Sequence, residues 1–224
     1  MNRPPPNSPV IAFFDFDNTL ICDDSQGLEI RYLMRQRRIR PVDVLRIGVI
    51  HWLYKHHQVS SDRIVRACVR IYRGLSPEDV REQTAGFHKA EIRPRYVPAV
   101  HHSMAEHVSQ GHVCVILSAS VPHLLEPAAK ELGVDHMICT RLEIDTKGKF
   151  TGRPDGPVCL GAEKTMQAKA LAHRLGSDLS TAWAYTDHHA DTAFLSAVGN
   201  PVAVNPTPRL RKTAEKTSWD IMDC

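Results

Sequence analysis

Apolar residues recur along this chain in two different rhythms. Val10 to Phe14 (V-I-A-F-F) is a continuous apolar run closing on Asp15, the pattern of a short strand buried on both faces. From about Cys22 to Glu91 the spacing is helical instead. Pro41 opens V-D-V-L-R-I-G-V-I-H-W-L-Y, too long and continuous for a strand. Ser60 or Ser61 caps a further helix, whose stripe of Ile64, Val65, Cys68, Val69 and Tyr72 stops at Gly74. Ser76-Pro77-Glu78-Asp79 is a helix start, with a capping serine, a proline in the first turn and acids near the positive helix end.

Beyond Glu91 strand and helix alternate. Val113 to Leu117 follows a helix ended by Gly111, Ala182 to Tyr185 follows one ending near Gly176, and Pro201 to Val204 follows one ending at Gly199. Short apolar strands joined through helices predict an α/β fold with a doubly wound parallel sheet. Leu142 to Gly152 predicts a hairpin turning at Lys147-Gly148. The expected division is a core of residues 8–21 and 92–224, with a helical cap of residues 22–91 inserted after the first strand and lying over the carboxyl ends of the strands.

Composition adds limits. The 224 residues are 42% hydrophobic, ordinary for a globular chain, and hold no apolar run near the roughly 20 residues of a membrane span. Met1 to Pro9 is proline-rich without an apolar core, so it reads as a solvated tail and a cytoplasmic location is expected. Six widely spaced cysteines predict reduced thiols. Two histidine groups, His51/His56/His57 and His101/His102/His107, lack metal-ligand spacing and read as surface residues. The net charge of +3 conceals an excess of +9 between Arg31 and Arg73. Either long basic side chains solvate helix faces there, or an electropositive surface draws anionic substrate or lipid; nucleic acid is not expected as a partner.

The chemistry gathers where strands end. Asp15 and Asp17 follow the first strand, Ser118 and Ser120 the second, and Asp187 and Asp191 the third, while Lys164 begins the helix before that third strand. Carboxylates crowded at one sheet edge are costly without a cation, and Mg2+ suits carboxylate, carbonyl and phosphate oxygens. One carboxylate can attack phosphorus while another moves the proton of the leaving oxygen.

Asp15-Phe16-Asp17-Asn18-Thr19-Leu20, Ser118, Lys164 and Asp187-x-x-x-Asp191 resemble, in order and spacing, the four motifs of the haloacid dehalogenase-like superfamily, over about Val10 to Asn205. The helical insert resembles the subfamily I cap in its phosphoserine-phosphatase-like branch. The resemblance implies a phosphatase in which Asp15 is nucleophile and metal ligand, and Asp17 is general acid/base and binds the metal through its carbonyl. It makes Thr19 a support of the loop and, with Ser118 and Lys164, a phosphate-binding group, Asp187 a metal ligand, and Asp191 a holder of the metal shell or of Lys164.

Three positions depart from the branch. Asp24 stands where phosphoserine phosphatases carry glutamate, Cys68 falls where an arginine grips the substrate carboxylate, and Ala190 replaces an asparagine. On a helix Arg66 and Arg70 point about 200° away from the Cys68 direction. The expected activity is Mg2+-dependent hydrolysis of a small phosphorylated metabolite such as histidinol phosphate or phosphoserine, with Asp24 setting specificity, for instance by pairing with a substrate amine. The rival readings are a lipid-phosphate phosphatase on an anionic membrane surface, a phosphotransferase, and a catalytically idle binding module.

Overall fold

The computed structural model describes residues 8–56 and 58–224. Most of the expected N-terminal tail, and His57 of the first histidine group, lie outside the described residues. The first strand, β1 (Ile11–Phe14), has all four residues wholly buried. Ile11 and Phe13 pack into one apolar cluster and Ala12 and Phe14 into another, so helices cover both faces of the sheet.

Helices α1 (Ser25–Arg35), α2 (Pro41–Lys55), α3 (Ser61–Cys68) and α4 (Pro77–Gln83) follow in succession. Ser60 precedes α3 but its hydroxyl makes no capping bond, whereas Ser76 forms the expected reciprocal cap. Its Oγ accepts from the Asp79 N–H at 3.1 Å, and the Asp79 carboxylate accepts from the Ser76 N–H at 2.7 Å. The stripe predicted on α3 buries Val65, Cys68, Val69 and Tyr72, continuing past α3 through a 3-10 turn. Ile64 is only half-buried. Helix α2 buries no residue and leaves Val42, Leu45, Val49 and Trp52 exposed along one side. The chain leaves β1 and returns at adjacent points: Ile21 pairs with Tyr96, Cys22 N–H donates to Arg95 O at 2.9 Å, and Val97 N–H donates to Leu20 O at 3.0 Å.

From there the chain alternates as predicted, through α5 (Pro98–Ser109), β2 (Val113–Leu117), α6 (Pro122–Leu132) and β3 (His136–Ile138). An antiparallel hairpin, β4 (Leu142–Ile144) and β5 (Phe150–Pro154), turns at Gly148, whose φ of 74° is left-handed. Then come α7 (Ala162–Arg174), β6 (Trp183–Thr186), α8 (Thr192–Leu195), β7 (Asn200–Val204), α9 (Pro208–Thr217) and β8 (Asp220–Met222). The sheet is six-stranded in the order β3-β2-β1-β6-β7-β8, and every adjacent pair is parallel. The fold is thus a doubly wound α/β sheet.

Two details differ from expectation. The helix expected to reach Gly199 stops at Leu195, and Gly199 serves a close approach instead: a Cβ there would sit 1.9 Å from Ser180 O. The two edge strands, β3 and β8, were not evident from hydropathy because each is three residues long and includes a polar residue. All six cysteines are free, as expected. Among the described residues no helix is long and apolar enough to cross a membrane.

His107 corrects the reading of its group as surface residues. It is 5% exposed, and its ring bonds Tyr185 Oη at 2.9 Å and His112 Nδ1 at 2.7 Å. Burial first, and the neighbouring His112 second, pull its pKa down to about 4, against a smaller upward pull from Glu106. A histidine held neutral on folding contributes stability that is full above about pH 6.5 and lost as pH falls toward 4, because the unfolded chain then binds more protons. Replacing His107 by phenylalanine should therefore reduce the loss of unfolding free energy between pH 7 and pH 5, read from urea titrations, by an amount on the order of 1 kcal/mol. An unchanged drop would show that His107 is not the titrating group.

Candidate active site

Strands β2, β1 and β6 are neighbours in the sheet, so Ser118, Asp15 and Asp187, each just past a strand end, come to one edge. The chain diverges to opposite sides of β1 here, which is where open α/β sheets bind ligands. Beyond Asp15 the backbone makes a wide turn, with Leu20 N–H donating to Asp15 O at 3.3 Å and Ile21 N–H to Phe16 O at 3.0 Å. Asn18 takes a left-handed φ of 54° within it. Thr19 is buried in this turn, with its hydroxyl unpartnered among the described residues.

The Asp15 carboxylate accepts three hydrogen bonds. Oδ1 takes the Phe16 N–H at 2.7 Å; Oδ2 takes Lys164 Nζ at 2.7 Å and the Thr186 hydroxyl at 3.2 Å. Lys164, in the first turn of α7, is 3% exposed and also reaches Asp191 Oδ2 at 2.7 Å. The Thr186 hydroxyl lies 2.9 Å from the same Asp191 oxygen. Burial alone would lower the pKa of Lys164, but Asp15 and Asp191 outweigh it and hold the ammonium above its ordinary value.

The carboxylates outnumber that one ammonium. Burial raises the pKa of Asp15; Lys164 opposes the rise and Asp191 adds to it. Asp187 is pushed up to about 8, by burial first and by Asp15 next. Asp17 is pushed up to about 7, by burial and then by Asp24, against the Ser25 N–H that donates to its Oδ1 at 2.6 Å. Asp191 Oδ1 is sealed from solvent without a hydrogen-bond partner among the described residues.

A cavity of about 200 Å³ touches Asp15, Asp17, Lys164, Asp187, His188 and Asp191. A larger one of about 380 Å³ shares Asp17, Asn18, Tyr54, Ser61 and Ala119 with it and extends beneath α1, α2 and α3. Of the residues expected at the site, Asp15, Asp17, Lys164, Asp187 and Asp191 are brought together around the smaller cavity. Ser118 is wholly buried behind them, its Oγ accepting from the Ser120 N–H at 3.0 Å, and it lines neither cavity. Ser120 lines the larger one and bonds the Ser25 hydroxyl at 3.0 Å. Asp24 lines it too, while capping α1 by accepting from Gln26 and Gly27 N–H groups at 3.2 Å each.

Thr186 and Ser25 were not singled out from the sequence. Thr186 had a signal, since it ends β6 beside Asp187; Ser25 had none, because only the fold brings its N–H to Asp17. Cys68 faces the larger cavity, and Arg66 and Arg70 line a separate groove with Arg73 and Arg153, as the helical angle required.

The arrangement has relatives. The profile of the haloacid dehalogenase-like hydrolase family matches residues 12–196. The chain is 31% identical over 217 residues to the "Inhibition of morphological differentiation protein" of Streptomyces azureus, covering 95% of this chain and 77% of that one. It is 29% identical over 234 residues to "Phosphoserine phosphatase SerB1" of Mycobacterium tuberculosis, covering 99% and 73%. Among solved structures, a Bordetella pertussis protein of unknown function superimposes with a TM-score of 0.88 at 25% identity, covering 97% of this chain and 99% of that one. A phosphoserine phosphatase, solved as an analogue of its phospho-aspartyl intermediate, superimposes with a TM-score of 0.68 at 20% identity, covering 97% and 94%. The buried strand ending in two carboxylates, the lysine fastened to the first of them and the acids beyond β6 all lie within the matched span, and the chain belongs to the haloacid dehalogenase-like hydrolase family.

Proposed function

We propose that the protein hydrolyses phosphate monoesters through a phosphoryl group carried on Asp15. The supporting observation is the pairing of a carboxylate pinned by Lys164 at 2.7 Å with a second, Asp17, whose pKa of about 7 lets it serve as acid and as base near neutral pH. An Asp15 oxygen attacks phosphorus and forms an acyl phosphate as the ester P–O bond breaks. The proton of Asp17 passes to the departing oxygen. Asp17, now a carboxylate, takes a proton from water as that water attacks phosphorus. The bond to Asp15 then breaks, inorganic phosphate leaves, and Asp17 is protonated again. Lys164 offsets the phosphoryl charge throughout.

The residues fit a magnesium ion. Asp15 and Asp187 each carry a pKa raised by burial, with the charge of Asp15 adding to the rise at Asp187, which is the condition a cation relieves. Among the described residues Asp191 Oδ1 has no donor, and a water on such an ion would supply one. Among the described residues no three His, Cys, Asp or Glu side chains form a cage, but magnesium is commonly held by one or two carboxylates with waters and substrate phosphate. Asp15, Asp187 and the Asp17 carbonyl would hold it, and it would supply positive charge to the phosphoryl oxygens. Helices α1 to α4 act as the cap of residues 22–91, closing on the edge where the carboxylates stand and excluding bulk water.

A screen of phosphorylated compounds tests this reading. It should include a generic aryl phosphate, phosphoserine and histidinol phosphate, with magnesium and with excess chelator. Turnover with magnesium and its loss with chelator are expected. Absence of turnover on every ester in the presence of magnesium would overturn the reading.

A further inference from the structure

The larger cavity begins beside Asp17 and Asn18, where the alcohol part of an ester held at Asp15 must extend. Its upper wall comes from three helices: Ile30 of α1, Ile47 and Ile50 of α2, and Ile64, Val65 and Cys68 of α3. All four isoleucines are half-buried, and none belongs to either apolar core cluster. Branched aliphatic side chains converging from three helices on one cavity leave apolar surface facing water until apolar matter covers it.

Of the polar residues lining this cavity, Asp17, Asn18, Tyr54 and Ser61 are shared with the smaller cavity on the phosphoryl side, and the Ser61 hydroxyl donates to Tyr54 Oη at 3.4 Å. Ser120, His51 and Gln26, whose buried Nε2 has no partner among the described residues, also line it. Asp24 is engaged in capping α1, and Arg31, exposed at the rim, is ion-paired with Asp23 at 3.3 Å. Arg66 of α3 faces away, into the groove it lines with Arg70, Arg73 and Arg153.

We infer that the leaving alcohol is predominantly apolar, an alkyl or aryl group of several carbons, and that Ile30, Ile47, Ile50 and Ile64 select it; this rests on the phosphatase reading above. Moving each methylene of the alcohol from water onto these side chains should raise kcat/KM about two- to fourfold. The rise should continue until the cavity of about 380 Å³ is filled. A charged amino-acid alcohol gains nothing from this wall and loses its hydration there.

The test is kcat/KM for n-alkyl phosphates from ethyl to octyl beside phosphoserine, on the wild type and on Ile50→Asn and Ile64→Thr. Neither position is fully buried, so both variants should fold, which circular dichroism checks. A rise with chain length that flattens in the variants supports the inference. A flat series, or phosphoserine exceeding octyl phosphate, overturns it while leaving the phosphatase reading intact. A rise equally steep in both variants also overturns it, because the isoleucines would not be the contact. Should no ester turn over, the phosphatase reading falls and calorimetric binding of n-alkylphosphonates decides the matter. Affinity that fails to increase with chain length then overturns the inference, and affinity that increases in the wild type alone supports it.

Discussion

Asp15→Asn should yield a folded protein with less than about 1% of wild-type phosphatase activity, because an amide oxygen does not form the acyl phosphate. The sequence alone suggests that this exchange is nearly isosteric and relieves crowding among acids. The geometry amends that expectation. The carboxylate accepts from Phe16 N–H, Lys164 Nζ and the Thr186 hydroxyl, all donors. An amide nitrogen placed at either oxygen position meets a donor, so the variant loses at least one hydrogen bond, at a cost of about 1 kcal/mol. Circular dichroism and a urea titration should show a native fold with a modestly lowered midpoint. Residual activity well above about 1% in that folded variant would point to another nucleophile.

Lys164→Met should lower both activity and stability, and the two losses have different causes. The side chain is of similar length and stays apolar where the lysine stem runs, so packing changes little. What disappears is the charge between Asp15 and Asp191, each 2.7 Å from the ammonium. Removing one partner of a buried ion pair costs about 3–5 kcal/mol when the other charge has no substitute. Here the orphaned carboxylates can take up protons instead. An acid whose folded pKa is raised binds more protons folded than unfolded, so stability recovers as pH falls. The penalty in metal-free protein should therefore be larger at pH 8 than at pH 5. Activity should fall about 100-fold or more, as for loss of one group that stabilises transition-state charge. Full activity in a destabilised Lys164→Met variant would restrict Lys164 to a structural role.

Some of this molecule is legible from residue order because it depends on neighbours in the chain. The V-I-A-F-F run, Gly111 and Gly176 at helix ends, and the Ser76-to-Asp79 cap are local devices, and each yields the element expected of it. Strand ends are local as well, so Asp15, Ser118 and Asp187 can be assigned to one edge once the sheet is taken as parallel. Edge strands β3 and β8 escape such reading, since three residues carry too little periodicity and their pairing partner supplies the rest of the stability.

What only the tertiary structure decided concerns groups that meet across long stretches of chain. Lys164 joins Asp15 from 149 residues away, and Thr186 joins it from 171. His107 is buried because Tyr185, 78 residues on, stands against it, although its own neighbours in the sequence are those of a surface helix. The four isoleucines read as ordinary helix hydrophobics until α1, α2 and α3 are placed over the sheet edge, where they face a cavity instead of a core. Periodicity states which face of a helix is apolar; whether protein, water or a ligand lies opposite that face is a matter of packing between distant segments, and no local pattern encodes it.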